Sequence, residues 1–124
     1  ITNATTNNTY TTVTNGNNSN FNWEDSSNWL GESIPSSASD DVVINTGIYI
    51  NSNVEVHNVD VTARITVNAG FSLEANDILT PNQLILKATS SSYSSLIVNG
   101  TSSGDIIFDR RSVGIKEGNF LTKL

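Results

Sequence analysis

The sequence predicts an all-β fold: a short parallel β-solenoid of about three rungs, closed by N- and C-terminal caps. Three observations carry this expectation. Between Val42 and Leu73 the chain reads as triplets: Val42-Val43-Ile44, Ile48-Tyr49-Ile50, Val54-Glu55-Val56, Val59-Asp60-Val61, Ile65-Thr66-Val67 and Phe71-Ser72-Leu73. All twelve outer positions are Val, Ile, Leu or Phe, in a chain that is only 36% hydrophobic. Apolar outer positions around a mostly polar middle are the period-2 signature of a strand with one buried face. The triplets also recur in sets of three, with 17 positions from Val42 to Val59, from Ile48 to Ile65 and from Val54 to Phe71. The linkers between them are short and turn-like: Asn45-Thr46-Gly47, Asn51-Ser52-Asn53, His57-Asn58, Thr62-Ala63-Arg64 and Asn68-Ala69-Gly70. Rungs of three strands stacked ~4.8 Å apart bury a core that no single rung can bury alone. A β-sandwich of many short strands also alternates and is the competing architecture. Strands of three residues favour the solenoid, because sandwich strands are usually longer.

Residues 1–20 form an Asn/Thr-rich lead or linker close to low complexity. Within it Tyr10-Thr11-Thr12-Val13 could form one strand. Four Asn-x-Ser/Thr sequons begin at Asn3, Asn7, Asn17 and Asn99, as chance allows in an Asn- and Thr-rich chain. Residues 21–41 place Phe21, Trp23 and Trp29 among Asn, Asp and Ser, with no period that would bury the rings within the segment. The first rung of a solenoid leaves open strand edges and an apolar end. Trp23, Trp29 and Ile34 are therefore expected to plug that end, as an aromatic N-terminal cap.

Residues 42–108 hold the rungs. Beyond Leu73 the pattern loosens: Ile78-Leu79, Leu84-Ile85-Leu86 and Leu96-Ile97-Val98 are the third rung's candidates, with Val42, Val59 and Ile78 expected in register. Thr80-Pro81-Asn82 reads as a turn, and the Ser-rich stretch from Lys87 to Ser95 as a loop bulging from one corner. Ile106-Ile107-Phe108 starts a fourth rung or a closing strand. Residues 109–124, with Val113, Ile115, Phe120 and Leu121 out of period, read as a C-terminal cap or a truncation point. No segment carries a convincing helical period.

Composition narrows function. A net charge of −6 with no basic patch argues against a nucleic-acid partner. With no Cys there is no disulfide framework and no thiol chemistry. No apolar run reaches membrane-spanning length, so direct membrane insertion is not expected. The chain opens on Ile1 rather than Met, which points to a processed or excised segment. Abundant Asn, Ser and Thr with few Lys and Arg suit a secreted β-protein.

Asn22-Trp23, Ser27-Asn28-Trp29, Gly31, Pro35 and Asp40-Asp41-Val42-Val43-Ile44 form a series. It resembles an element of large secreted surface proteins of gliding and marine Bacteroidetes, many exported by the type IX route. There a tryptophan, asparagine-tryptophan, proline, aspartate-valine-isoleucine entry precedes short alternating strands. The stretch is also similar to the start of extracellular domains with eight glycines that are read as β-helical. The resemblance spans about residues 20 to 110 and implies a multidomain, adhesin-like parent at the cell surface. Some turn glycines of that pattern are replaced here by Asn and by Arg64.

Few residues can carry chemistry. The single histidine, His57, sits at a turn, and without a second His or any Cys neither a zinc site nor a Cys/His nucleophile is available. There is no Gly-x-Ser-x-Gly elbow and no Gly-rich phosphate loop. Glu24-Asp25 and Asp40-Asp41 flank the tryptophan segment. Paired carboxylates could serve a glycosidase, but three rungs offer little cleft. Glu24, Asp25, Asp40 and Asp41 could instead supply oxygens to a structural Ca²⁺, or Asp40 and Asp41 could accept backbone N–H groups at the entry to the first strand. No other cofactor is expected. Trp23, Trp29, Tyr49 and Tyr93 are the candidate sugar-stacking rings. The sequence thus predicts a non-catalytic structural or adhesive module of a secreted bacterial cell-surface protein. The alternative is a carbohydrate-binding module appended to a polysaccharide-degrading enzyme. The expected partners are an extracellular glycan, another surface protein, and neighbouring domains of the parent chain.

Overall fold

The computed structural model describes residues 8–13, 21–89, 91–109 and 119–122. In chain order they form β1 (Thr9–Thr11), a 3₁₀ turn (Ser26–Asn28), β2 (Asp41–Ile44), β3 (Ile48–Ile50) and β4 (Asn53–Val56). There follow β5 (Val59–Val61), β6 (Ile65–Val67), β7 (Ser72–Ala75), β8 (Ile78–Pro81), β9 (Gln83–Lys87) and β10 (Ser95–Val98). The last three are β11 (Thr101–Ser102), β12 (Asp105–Asp109) and β13 (Asn119–Thr122). β1 pairs in parallel with its successor β2, but from β2 onward successive strands do not pair with each other. Each pairs in parallel with the strand three further along, giving sheets β1-β2-β5-β8-β11, β3-β6-β9-β12 and β4-β7-β10-β13. This is a parallel β-solenoid of about three turns, β2–β4, β5–β7 and β8–β10, with β11, β12 and β13 extending each sheet once more. The parallel pairing rules out the sandwich.

Six inward columns fill the core. Val42 stacks on Val59 and Leu79, Ile44 on Val61 and Pro81, Ile48 on Ile65 and Leu84. Ile50 stacks on Val67 and Leu86, Val54 on Leu73 and Leu96, Val56 on Ala75 and Val98. All eighteen are buried. A branched side chain fully withdrawn from water contributes roughly 1.5–3 kcal/mol, so these columns are the main source of stability. No described helix is long and apolar enough to cross a membrane.

Four details differ from the sequence expectation. The 17-residue spacing fails at the third strand of the second turn: Val54 faces Leu73, not Phe71. The turn after β6 absorbs the difference. Gly70 takes a φ of +93°, open to glycine at no steric cost, and the N–H of Phe71 donates to the Asn68 carbonyl at 3.2 Å. Phe71 therefore belongs to the turn and packs half-buried against the core. In the next turn Val59 faces Leu79, and Ile78 is 40% exposed. The corner residues Asn76 and Asp77 shift the inward set by one position. Pro81 ends a strand rather than forming a turn. Having no N–H, it cannot donate to the ladder, and the strand beside it on the far side, β11, is only two residues long.

The fourth difference is Thr66. It is the middle residue of its triplet, where strand alternation turns the side chain away from the core, yet it is 2% exposed. Its outward side chain lies between Tyr49 and Ile85 in register above and below. The outer segments each carry one strand, as the lead was expected to allow. Within the lead, β1 pairs with β2. Within the C-terminal segment, β13 continues the β10 ladder. Asn3, Asn7, Asn17, Val113 and Ile115 lie outside the described residues.

Candidate functional site

The aromatic segment closes the first turn from below. Asn22 bridges to Tyr49 in parallel, held by Tyr49 N–H to the Phe21 carbonyl at 2.7 Å and Trp23 N–H to the Tyr49 carbonyl at 2.8 Å. Trp23 is thereby carried into the core as if it were a strand residue of a preceding turn. Trp29 follows after the 3₁₀ turn. Its indole Nε1 donates to the Trp23 carbonyl at 2.8 Å, and the two rings meet edge to face at 4.8 Å with planes 74° apart. Both are 1% exposed. The indole N–H, the one polar atom of each ring that burial would penalise, is satisfied in Trp29 by this bond. Neither Trp23 nor Trp29 has a ring face left to stack on a sugar, so the structure removes both from the candidate glycan platform.

The four carboxylates proposed for a metal do not converge. Glu24 accepts from the Asn51 N–H and, at 2.6 Å, from the Ser52 hydroxyl. Asp25 caps the 3₁₀ turn, accepting from Ser27 N–H and hydroxyl at 3.0 and 2.7 Å. Asp40 is buried and accepts from the N–H groups of Ser36 and Ser37 at 3.1 and 3.0 Å. That is turn chemistry at the entry to the first strand. Asp41 accepts from Asn58 N–H at 3.2 Å and lies 2.9 Å from His57 Nδ1, whose other nitrogen is 3.7 Å from Asp77. Asp41, His57 and Asp77 thus line one corner, one per turn. Among the described residues no three His, Cys, Asp or Glu side chains gather as metal ligands.

The feature best shaped to receive a ligand lies on the outer face of β3, β6 and β9. It is a groove of about 520 Å³, within the ~300–1,000 Å³ common for small-molecule sites. Thr66 is its floor. Tyr49, 39% exposed, and Phe21, 41% exposed, flank it, and Arg64, Asn82 and Gln83 complete it. Arg64 Nε donates to Gln83 Oε1 at 2.6 Å, and Asn82 Nδ2 donates to the Thr62 and Ala63 carbonyls at 3.1 and 3.4 Å. These bonds tie the polar wall to the solenoid backbone.

Of the four predicted rings, Tyr49 alone lines the groove. Tyr93 is exposed on the loop after β9, where it bridges to Ala88 and its carbonyl accepts from Gly70 N–H at 3.0 Å. Phe21, Arg64 and Gln83 were not singled out as site residues. Arg64 carried one signal, a cation where the resembling pattern places glycine. No protein-family model, curated protein or solved structure matches the chain.

Proposed function

We propose that the chain is a non-catalytic structural and adhesive module of a secreted bacterial cell-surface protein, and that the β3–β6–β9 face is its adhesive surface. The observation that carries this reading is the groove itself. Two large rings, Tyr49 on β3 and Phe21 beside it, are left exposed on a solenoid whose other large apolar residues are mostly turned inward. Keeping such rings in water costs free energy, and an exposed aromatic patch rimmed by polar groups is a common mark of a binding surface. Reaction chemistry lacks comparable support: Glu24, Asp25, Asp40 and Asp41 accept from backbone N–H groups, and among the described residues no acid–base pair lines the groove. The entry series Trp23, Trp29, Pro35, Asp40-Asp41, similar to that of Bacteroidetes surface proteins, is the support for secretion and for neighbouring domains in the parent. Calcium is not required by this reading.

The same groove favours a second reading, a carbohydrate-binding module that brings an attached enzyme to its polysaccharide. The test of the first is retention of beads coated with the module on glycan- and protein-coated surfaces, wild type against Tyr49→Ala. Retention that falls with the tyrosine supports it. Equal retention of both forms, or hydrolysis of any glycan by the module alone, overturns it.

A further inference from the structure

The groove has a charge pattern opposite to that of the molecule. The chain carries twelve acidic residues against six basic ones, yet among the described residues no Asp or Glu lines this groove, and Arg64 is the one charged side chain that does. The ion pairs among the described residues are those of His57, so no carboxylate there neutralises Arg64. Its Nε is spent on Gln83, which orients the guanidinium plane and leaves the Nη edge to donate. A guanidinium fixed in this way suits the planar, two-oxygen geometry of a carboxylate. In an otherwise acidic protein, a lone cation in an acid-free recess is where an anionic ligand meets least repulsion.

The remaining lining restricts the anion further. A small inorganic ion needs no aromatic walls. Phe21 and Tyr49 offer apolar faces that match the C–H face of a sugar ring. Asn82 Oδ1 and Gln83 Nε2, the amide atoms not spent on Thr62, Ala63 and Arg64, offer an acceptor and a donor suited to ring hydroxyls. We infer that the groove binds an acidic saccharide of the uronate class, its carboxylate on Arg64 and its ring against Tyr49 and Phe21. This rests on the adhesive reading and names its ligand.

The experiment is calorimetric titration of the whole chain with trimers of galacturonate, guluronate, mannuronate and glucuronate, each paired with its neutral methyl ester. At least one acid trimer should bind ten-fold or more tighter than its ester. Arg64→Gln should abolish that difference, Arg64→Lys should restore part of it, and Tyr49→Ala should weaken acid and ester alike. Circular dichroism of each variant checks that the fold is kept. If no uronate binds, or if binding is indifferent to Arg64→Gln, the inference is overturned. Bead retention that survives in that case leaves the adhesive reading standing with a different ligand, so the two failures are told apart.

Discussion

Asn68 donates from Nδ2 to Oδ1 of Asn51 at 2.7 Å, and Asn51 donates from Nδ2 to Oδ1 of Asn22 at 2.9 Å. One amide per turn is stacked along this corner, with Asn51 in the middle both donor and acceptor, as strands in register permit. A second corner repeats the device. Asn99 donates to Asn76 and to Glu74, and Asn76 donates to Glu55, so the adjacent carboxylates of Glu55 and Glu74 each receive an N–H. Asn22, Asn51, Asn68, Asn76 and Asn99 are thus corner chemistry.

Asn51→Ala removes both bonds of the ladder's middle member and should cost about 1–3 kcal/mol, the range for stranding partly buried polar partners. Asn51→Asp should cost more at neutral pH. Its carboxylate cannot donate to Asn22, and it comes close to Glu24, which already accepts from this residue's N–H. Repulsion raises the folded-state pKa of the new carboxyl above its unfolded value of about 3.9. The variant should therefore lie nearest to wild type below about pH 4 and lose stability as pH rises through the folded pKa. Urea midpoints from pH 3 to 7 check this, and a pH-independent difference would contradict the repulsion argument.

The indole pair should report on the cap. Trp29→Ala leaves a cavity and removes the donor to the Trp23 carbonyl, at about 3–5 kcal/mol for a buried aromatic. The near-ultraviolet circular dichroism of the paired rings should vanish with it. Trp29→Phe keeps most of the volume but not the N–H, and should fall between the two.

β2–β6 are legible in the sequence because the corners 45–47 and 62–64 have equal length, so apolar residues return to the same columns. From β7 onward corner lengths no longer match: four residues separate β6 from β7 against two between β3 and β4, and one separates β8 from β9 against three between β5 and β6. Phe71 and Ile78 are as apolar as the residues that displace them, and only the turn geometry at Gly70 and at Asn76-Asp77 decides which faces inward. The aromatic cap is legible as rings with no local period to bury them. The groove is not. Its members come from four separate stretches, at Phe21, at Tyr49, at Arg64 and Thr66, and at Asn82-Gln83. Outward positions also carry no periodic hydrophobic signal. Only the stacking of turns brings them together.

Val67 and Thr66 separate the two faces of β6. Val67→Asp places a carboxylate in a dry column between Ile50 and Leu86, at a cost of several kcal/mol or forced protonation, and should unfold the chain. Thr66 is buried on the outer face, so Thr66→Asp should cost an intermediate 1–2 kcal/mol rather than the few tenths of an open surface site. Leu73→Ala should cost about 2–5 kcal/mol as a core deletion, and Phe71→Ala less, because its ring is only partly withdrawn from water. Guanidinium denaturation of the four variants gives the ranking. A Phe71→Ala loss larger than that of Leu73→Ala would mean that the turn before β7 is misplaced.

Chelation should leave stability unchanged. A metal bound only by the native state raises the unfolding free energy by RT ln(1 + [L]/Kd). Glu24, Asp25, Asp40 and Asp41 already accept from N–H and hydroxyl donors at four turns. Excess EDTA should shift the unfolding free energy by less than about 1 kcal/mol, and a larger shift reversed by calcium would restore a metal to the fold.

Gly100 and Gly47 test how tightly the turns are stacked. Thr101 N–H donates to the Asp77 carbonyl at 3.0 Å, which draws the corner at Gly100 onto the turn below. A Cβ on Gly100 would collide with that carbonyl oxygen, and would stand 2.8 Å from the Asp77 carbonyl carbon and 3.0 Å from its Cα. These are backbone atoms held in the ladder, so they cannot swing aside as the end of a long side chain would. Gly100→Ala must separate the third and fourth layers locally, and should cost about 1–3 kcal/mol as overpacking does. Gly47, at the corner after β2, has nothing within 4 Å of a built Cβ. Gly47→Ala should be neutral, or stabilising by about 0.4–1 kcal/mol through the lowered entropy of the unfolded chain. Thermal melts of the two alanine variants decide the point: equal melting temperatures would mean that the corner at Gly100 stands further from Asp77 than its hydrogen bond requires.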